Sequence, residues 1–160
     1  MQRVRDVIGL PVIELEQGNE VGYVQDLLFD AQNKLAAVLL GEPSFLKAGQ
    51  YVPVHAVHAI GTDCVAIAGR QAIVHVSSFS PEWTSIQTGA APIRGKTFVT
   101  SEGTQLGFVE DVYFQAESGK IVGYELSNGL LSDIVDGRTI IHGTERLKMG
   151  EDAVIVSVQE

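Results

Sequence analysis

The sequence repeats itself, and this repeat constrains the fold more strongly than any other feature of the chain. Residues 18–29 align with residues 103–114 at a constant offset of 85 positions, and five of the twelve aligned pairs are identical. The identical pairs are Gly18 and Gly103, Gly22 and Gly107, Val24 and Val109, Asp26 and Asp111, and Phe29 and Phe114. A chain of 160 residues with this repeat is expected to contain two copies of one small unit.

The alignment continues beyond this segment with small shifts, because residues 61–67 also resemble residues 150–156. A unit of about seventy residues buries only about 60% of its unfolded surface, so we expect the two units to pack together. Trp83 lies between them in the sequence and is expected to stiffen their interface. The predicted first unit, linker and second unit cover residues 1–78, 79–92 and 93–160.

The hydrophobic pattern within each unit predicts short strands joined by turns, with the repeated glycines in the turns. Strict alternation places Tyr23 on the same strand face as Leu27 and Phe29. Phe108 takes the corresponding position in the second unit. Apolar residues on both faces fit a strand that curls into a small barrel, with one face inside and the other partly covered. The sequence therefore predicts an all-β protein made of two small β-barrels, with short helical turns in the loops.

The charge balance argues against several classes of partner. The chain carries 11 Lys and Arg against 20 Asp and Glu, a formal net charge of −9 at pH 7. Such a surface repels the phosphates of nucleic acids and of anionic membranes, so direct binding to either is not expected. The longest apolar run, residues 35–40, is too short to span a bilayer. Cys64 is the single cysteine, which together with the charged first residues indicates a reducing cytoplasm.

Few patterns in the sequence point to chemistry. Asp26 and Asp111 lie among apolar residues, and we expect each to accept backbone N–H hydrogen bonds within its own barrel. An alternative set for a hydrolase or metalloenzyme consists of His55, His58, Asp63 and Cys64. This set is thin for zinc, which takes three or four protein ligands, and the second unit has no histidine at the matching positions. We therefore predict no catalytic, cofactor-binding or metal-binding residue, and a protein that is not an enzyme.

Two loops carry apolar residues that suit a docking surface. The first spans residues 41–49 and contains Phe45 and Leu46, and the second spans residues 127–137. The second has the spacing of a short amphipathic helix at Leu130, Leu131, Ile134 and Val135. Either the loops are lids that close a barrel end or pack on the other unit, or they form an exposed patch. Such a patch would dock another protein or a second copy of the chain.

Three motifs of the first unit resemble the PRC-barrel family. They are Ile8-Gly9-x-Pro11-Val12, Gly18-x-x-Val21-Gly22-x-Val24-x-Asp26, and Tyr51-Val52-Pro53-Val54-x-x-Val57-x-x-Ile60-Gly61-x-Asp63-x-Val65. The second unit departs from the pattern at Lys96-Thr97-Phe98 and at Thr139-Ile140-Ile141-His142. The family is named after the photosynthetic reaction-centre H subunit and includes the C-terminal domain of a ribosome-maturation factor. The resemblance implies a small β-barrel of about six strands per unit that serves as a binding platform.

The function expected from these observations is a non-enzymatic cytoplasmic adaptor that binds a protein partner, with a homodimer as a further alternative. This expectation rests partly on the family resemblance, because a fold alone does not dictate function. A second hypothesis is an accessory factor in ribosomal RNA maturation that contacts ribosomal protein, since the net charge disfavours RNA. A third is a binder of a small ligand or a metal.

Overall fold

The computed structural model describes residues 1–41, 49–76, 80–89, 91–127, 138–142 and 147–157, and this part of the chain is mostly β. The strands are β1 (Gln2–Arg3), β2 (Pro11–Glu14), β3 (Glu20–Phe29), β4 (Leu35–Gly41), β5 (Gly49–Pro53), β6 (Val57–Ile60), β7 (Val65–Ile67), β8 (Val74–Val76), β9 (Thr84–Ser85), β10 (Thr97–Thr100), β11 (Gln105–Phe114), β12 (Ile121–Ser127), β13 (Arg138–His142), β14 (Leu147–Met149) and β15 (Ala153–Val156). A four-residue helix, α1 (Val4–Val7), and two 3₁₀ turns (Val54–Ala56 and Arg70–Ala72) complete the regular structure.

Each half of the chain forms one sheet, and the two sheets share their connectivity. The first has the strand order β6-β7-β2-β3-β4-β5-β8, and the second has the order β14-β15-β10-β11-β12-β13. In each sheet the first long strand of the barrel pairs in parallel with a strand from the end of the same half. These pairs are β2 with β7 and β10 with β15. The other pairs are antiparallel. The predicted all-β fold of two tandem small barrels is confirmed.

Two short segments cross between the halves. Strand β1 pairs with β11, where Arg3 lies opposite Tyr113, and strand β9 pairs with β3, where Ser85 lies opposite Leu28. We call residues 1–7 the first crossing segment and residues 84–88 the second. The second crossing segment falls within the stretch that the sequence assigns to a linker, yet it adds a strand to the first sheet.

A β-bulge breaks the alternation of β3, and the same bulge recurs in β11. Val24 lies opposite Leu40 and Asp26 lies opposite Leu39, so Gln25 is an extra residue with no partner on β4. Side chains before Gln25 therefore point to the opposite face from the one that strict alternation predicts. Val24 and Leu27 are consequently both buried, whereas Tyr23 is 42% exposed. The expectation that Tyr23 shares a face with Leu27 and Phe29 was therefore wrong. The matching expectation for Phe108, which is 39% exposed, was wrong for the same reason.

The two glycines that precede these bulges allow neighbouring strands to approach closely. Gly22 has φ +155°, and a Cβ placed there would lie 2.8 Å from the carbonyl oxygen of Gly41 on β4. Gly107 has φ +145°, and a Cβ there would collide with the carbonyl oxygen of Ser127 on β12. Gly18 and Gly103 lie in the turns before β3 and β11. Glycine at 22 and 107 is thus required by the backbone of each barrel.

The larger of the hydrophobic clusters among the described residues runs through both halves, as expected for two units that are small alone. Phe29 and Phe114, which the repeat makes equivalent, meet edge to face with ring centroids 6.1 Å apart. Beside them the Leu35 N–H donates to the Gly119 carbonyl (2.7 Å), and the Ile121 N–H donates to the Asn33 carbonyl (3.0 Å). Equivalent residues of the two halves therefore face each other, as they do across a twofold axis.

Candidate functional site

Asp26 is buried on the outer face of the first barrel, where it binds the second crossing segment. One carboxylate oxygen accepts the N–H of Leu27 at 2.8 Å, within its own strand. The other accepts the N–H groups of Gln87 at 3.0 Å and Thr88 at 2.9 Å, and the Thr88 hydroxyl at 2.7 Å. Asp26 therefore fastens residues of the second crossing segment to β3.

Asp111 does the same in the second barrel with residues of the first crossing segment. It accepts the N–H of Val112 at 2.8 Å and that of Arg5 at 3.1 Å on one oxygen. Its other oxygen accepts the Nε–H of Arg3 at 3.1 Å, with Arg5 Nε 3.6 Å away. The prediction that each aspartate serves its own barrel was thus incomplete. Each one also holds a segment that arrives from outside its barrel.

Around Asp111 the contacts extend into a charged cluster. Arg3 Nη2 donates to Glu125 at 2.9 Å, and its guanidinium lies 5.6 Å from the ring centroid of Tyr113. The Tyr113 hydroxyl donates to the same carboxylate at 2.6 Å, and this hydrogen bond raises the pKa of Tyr113. Burial lowers the pKa of Arg3, because it disfavours the charged guanidinium. The nearby Glu125, Tyr113 and Asp111 together have a larger and opposite effect, so the pKa of Arg3 is raised. The guanidinium is held in its charged form.

Beside Asp26, the corresponding face of the first barrel carries apolar residues where the second barrel carries polar and charged ones. Leu28 and Leu39 occupy the positions of Tyr113 and Glu125, and Ser85 occupies the position of Arg3. Leu28, Ala37 and Leu39 form a small cluster of their own, against which Tyr51 and Trp83 pack. The rings of Tyr51 and Trp83 meet edge to face at 5.2 Å. The two crossings therefore share a backbone plan but differ in chemistry.

Both aspartates are committed to fixed hydrogen bonds. Each carboxylate oxygen of Asp26 and of Asp111 accepts at least one hydrogen bond, either from the next residue of its own strand or from a crossing segment. Asp26 is fully buried and Asp111 is 2% exposed. This geometry orders the backbone around each carboxylate, which is a structural use of a buried acid.

The histidines and the cysteine of the alternative metal set lie in and after the first 3₁₀ turn. His55 is exposed within the turn, and His58 is exposed on β6. Asp63 is exposed and Cys64 is half-buried in the turn before β7. Within the described ranges, no three His, Cys, Asp or Glu side chains come together in a group that could hold a metal ion.

Tyr23 and Phe108 form the second kind of candidate site, because both are exposed aromatic rings at repeat-equivalent positions. Tyr23 lies opposite Gly41 at the end of β4, and its ring fills the space where a Cβ of residue 41 would be. Phe108 lies opposite Ser127 at the end of β12. Each ring thus lies opposite the last residue of the strand that precedes one of the two apolar loops in the sequence. We call these two places the aromatic surfaces.

The predicted docking residues of the two loops fall in residues 42–48 and 128–137, outside the described residues. These residues are Phe45, Leu46, Leu130, Leu131, Ile134 and Val135.

Sequence reasoning missed Arg3, Thr88 and Glu125, which complete the two carboxylate sites. Glu125 did carry a signal in the sequence. It lies between the apolar residues Tyr124 and Leu126, at a position where the first unit has Leu39. An acidic residue inside a buried strand needs a cation or hydrogen-bond donors nearby.

Within the described residues, no helix has both the length and the apolar composition needed to cross a bilayer.

The comparisons with known proteins agree with the fold. A model of the PRC-barrel domain matches residues 1–78 and again residues 88–160. The uncharacterized protein YrrD of Bacillus subtilis (strain 168) is 27% identical over 162 residues, which cover 98% of this chain and 88% of that protein. These matches confirm the resemblance that the sequence motifs indicated. The chain therefore belongs to the PRC-barrel family, with one barrel domain in each half.

Proposed function

We propose that this protein is a non-enzymatic cytoplasmic binding module that docks a protein partner on its two aromatic surfaces. The observation that carries the proposal is the exposure of Tyr23 (42%) and Phe108 (39%) at equivalent positions. A bulge in each barrel turns these rings outward while the neighbouring valines, Val24 and Val109, stay buried. Aromatic residues are enriched at the energetically dominant positions of protein interfaces.

The sequence around the aromatic surfaces supports a binding role. The loop that follows Gly41 contains Phe45 and Leu46, and the loop that follows Ser127 contains four further apolar residues. Exposed aromatic rings followed in the sequence by further apolar residues favour an interaction site. The net charge of −9 favours a protein partner over a nucleic acid.

The presence of two equivalent surfaces on barrels that share one hydrophobic core has an energetic consequence. A partner with two matching sites would bind the second surface intramolecularly, at a high effective concentration. Loss of one ring should then weaken binding moderately, and loss of both should weaken it by much more than twofold. This behaviour would distinguish a bivalent module from one with a single binding surface.

An affinity pull-down with quantitative mass spectrometry tests the proposal. The variants are the wild type, the double substitution Tyr23→Ser and Phe108→Ser, and the control Leu15→Ser. Leu15 is 51% exposed and lies outside both aromatic surfaces, so it controls for the loss of an exposed apolar side chain. We expect a set of partners that the double variant loses and the control retains. An identical set from all three proteins would refute the proposal, and enrichment of ribosomal proteins would favour the ribosome-maturation alternative.

A further inference from the structure

The second barrel contains a binding site for an arginine on an extended segment. Glu125 is 1% exposed and Asp111 is 2% exposed, and Arg3 donates hydrogen bonds to both carboxylates. Two acidic groups so deeply buried require a cation at close range. The Tyr113 ring adds a surface for the guanidinium. The arginine that fills the site comes from the first crossing segment and not from the barrel itself.

Three features of the first crossing segment define what fits this site. Gln2 and Arg3 pair with β11 as a short antiparallel strand, and the Arg5 N–H donates to Asp111. Val4 and Val7 are both fully buried in the common core. The site therefore selects an extended residue pair ending in arginine, with apolar residues one and four positions after it.

The second crossing segment shares the short antiparallel strand, the backbone N–H donors to its aspartate and a buried apolar residue, Ile86, but it lacks the arginine. It has Ser85 where the first has Arg3, and it crosses a face built from Leu28 and Leu39. Placed on β11, it would bring no cation to Glu125. Placed on β3, the first segment would bring Arg3 to Leu28 and Leu39, where the second barrel has Tyr113 and Glu125. The two segments are therefore not interchangeable, and only the first carries the arginine that the second barrel requires.

We propose that two copies of this chain exchange their first crossing segments, so that Arg3 of each copy binds Asp111 and Glu125 of the other. A second copy is the occupant that fits, because it carries the arginine and both valines at the required spacing. The exchanged dimer makes the same contacts as the closed monomer, which is the usual reason that segment exchange costs little. The equilibrium between the closed monomer and the exchanged dimer then depends on protein concentration and on the conformational energy of the hinge.

The hinge lies between Val7 and β2, at Gly9. Gly9 has φ +92°, and the space that a Cβ would occupy has no atom within 4 Å. Alanine at position 9 therefore disfavours the positive φ angle of the closed monomer without causing a steric clash. Gly95 is the matching residue before β10, with φ +94° and the same open space. Gly95 lies after the second crossing segment and outside the proposed hinge. Alanine there should cost the same backbone energy as alanine at position 9 without affecting the exchange.

The hinge variants test the proposal by sedimentation velocity over a concentration series. We expect Gly9→Ala to raise the dimer association constant about thirtyfold, equivalent to about 1 kcal/mol of relieved strain at each of two hinges. Gly95→Ala should leave the association constant unchanged. No rise with Gly9→Ala, or an equal rise with both variants, would overturn the proposal.

A complementation experiment tests the same contact independently. Arg3→Glu spoils the segment but keeps the site, and Glu125→Arg spoils the site but keeps the segment. Each variant alone should be monomeric, because the contact is repulsive both within a chain and between identical chains. An equimolar mixture should form a one-to-one dimer that contains one native Arg3–Glu125 contact and one reversed contact. A mixture of folded variants that stays monomeric would refute the exchange, and if either variant fails to fold the hinge pair decides.

Discussion

Replacing Arg3 with methionine removes the cation that compensates two buried carboxylates, and the cost can be worked out from the contacts. Arg3 donates hydrogen bonds of 3.1 Å to Asp111 and 2.9 Å to Glu125, and a bond to a charged group contributes about 1.5–3 kcal/mol. Because the Arg3 side chain is 28% exposed, water screens part of this energy. Asp111 also retains the N–H groups of Arg5 and Val112 and the charge of the Arg5 guanidinium, whose Nε lies 3.6 Å away. We expect the free energy of unfolding to fall by about 3 kcal/mol, the lower end for a broken buried ion pair.

A double variant separates the uncompensated charge from the loss of packing. Adding Glu125→Leu to Arg3→Met introduces the residue type that the first barrel has at position 39. Apolar replacements of buried ion pairs are often neutral, but Asp111 still loses its hydrogen bond from Arg3, so the double variant should recover about half of the stability that Arg3→Met loses. Urea unfolding followed by circular dichroism gives the free energies of the wild type, of Arg3→Met, of Glu125→Leu and of the double variant, and hence the coupling between the two sites. A loss below about 0.5 kcal/mol for Arg3→Met, or a double variant less stable than Arg3→Met, would refute the reasoning.

Three further predictions concern single positions. Tyr124→Phe should raise the free energy of unfolding by about 1 kcal/mol in a urea titration, because this buried hydroxyl has no hydrogen-bond partner among the described residues; burial also raises its pKa to about 12. Gly107→Ala should lower the melting temperature through a loss of about 2 kcal/mol, from a Cβ forced against the Ser127 carbonyl oxygen. Hydrogen bonds from the backbone N–H groups of Gln17 and Asn19 lower the pKa of Glu14, so its stabilising effect is present above its usual pKa and lost as the pH falls through the folded value. Urea midpoints measured between about pH 5 and pH 3 should therefore fall less for Glu14→Gln than for the wild type.

The repeat predicted the two barrels because the repeated residues carry geometric requirements. Gly22 and Gly107 stand where the neighbouring strand comes too close for a Cβ, and Phe29 and Phe114 fill the common core. Such positions tolerate few alternatives, so they keep their identity when the rest of the repeat diverges. Alignment of the chain with itself was therefore enough to give the architecture.

The direction of Tyr23 and Phe108 could not be obtained from alternation. The extra residues, Gln25 and Glu110, look like ordinary outward-facing polar positions in the sequence. A bulge changes the period of a strand for one residue only, so a periodicity argument has too short a window to detect it. The two aromatic surfaces became visible only with the strand register.

The crossing segments could not be predicted for a different reason. Arg3 lies before the aligned part of the first unit and Thr88 lies in the stretch between the units, so the repeat does not constrain either of them. Their partners, Asp111 and Asp26, are more than sixty residues away in the sequence. Local patterns do not report pairing over such distances. The acidic residue at position 125 was the one local sign that a cation had to come from elsewhere.

The crossing segments make the two barrels one structural unit, and equilibrium unfolding tests this most directly. Urea titration followed by two-dimensional NMR resolves amides in each half, such as those of Val65 on β7 and Val154 on β15, both fully buried. Because each barrel is completed by a segment from outside it, we expect both amides to report one transition with the same midpoint and slope. Two separate transitions, with one barrel folded while the other is unfolded, would contradict the central role of the crossing segments.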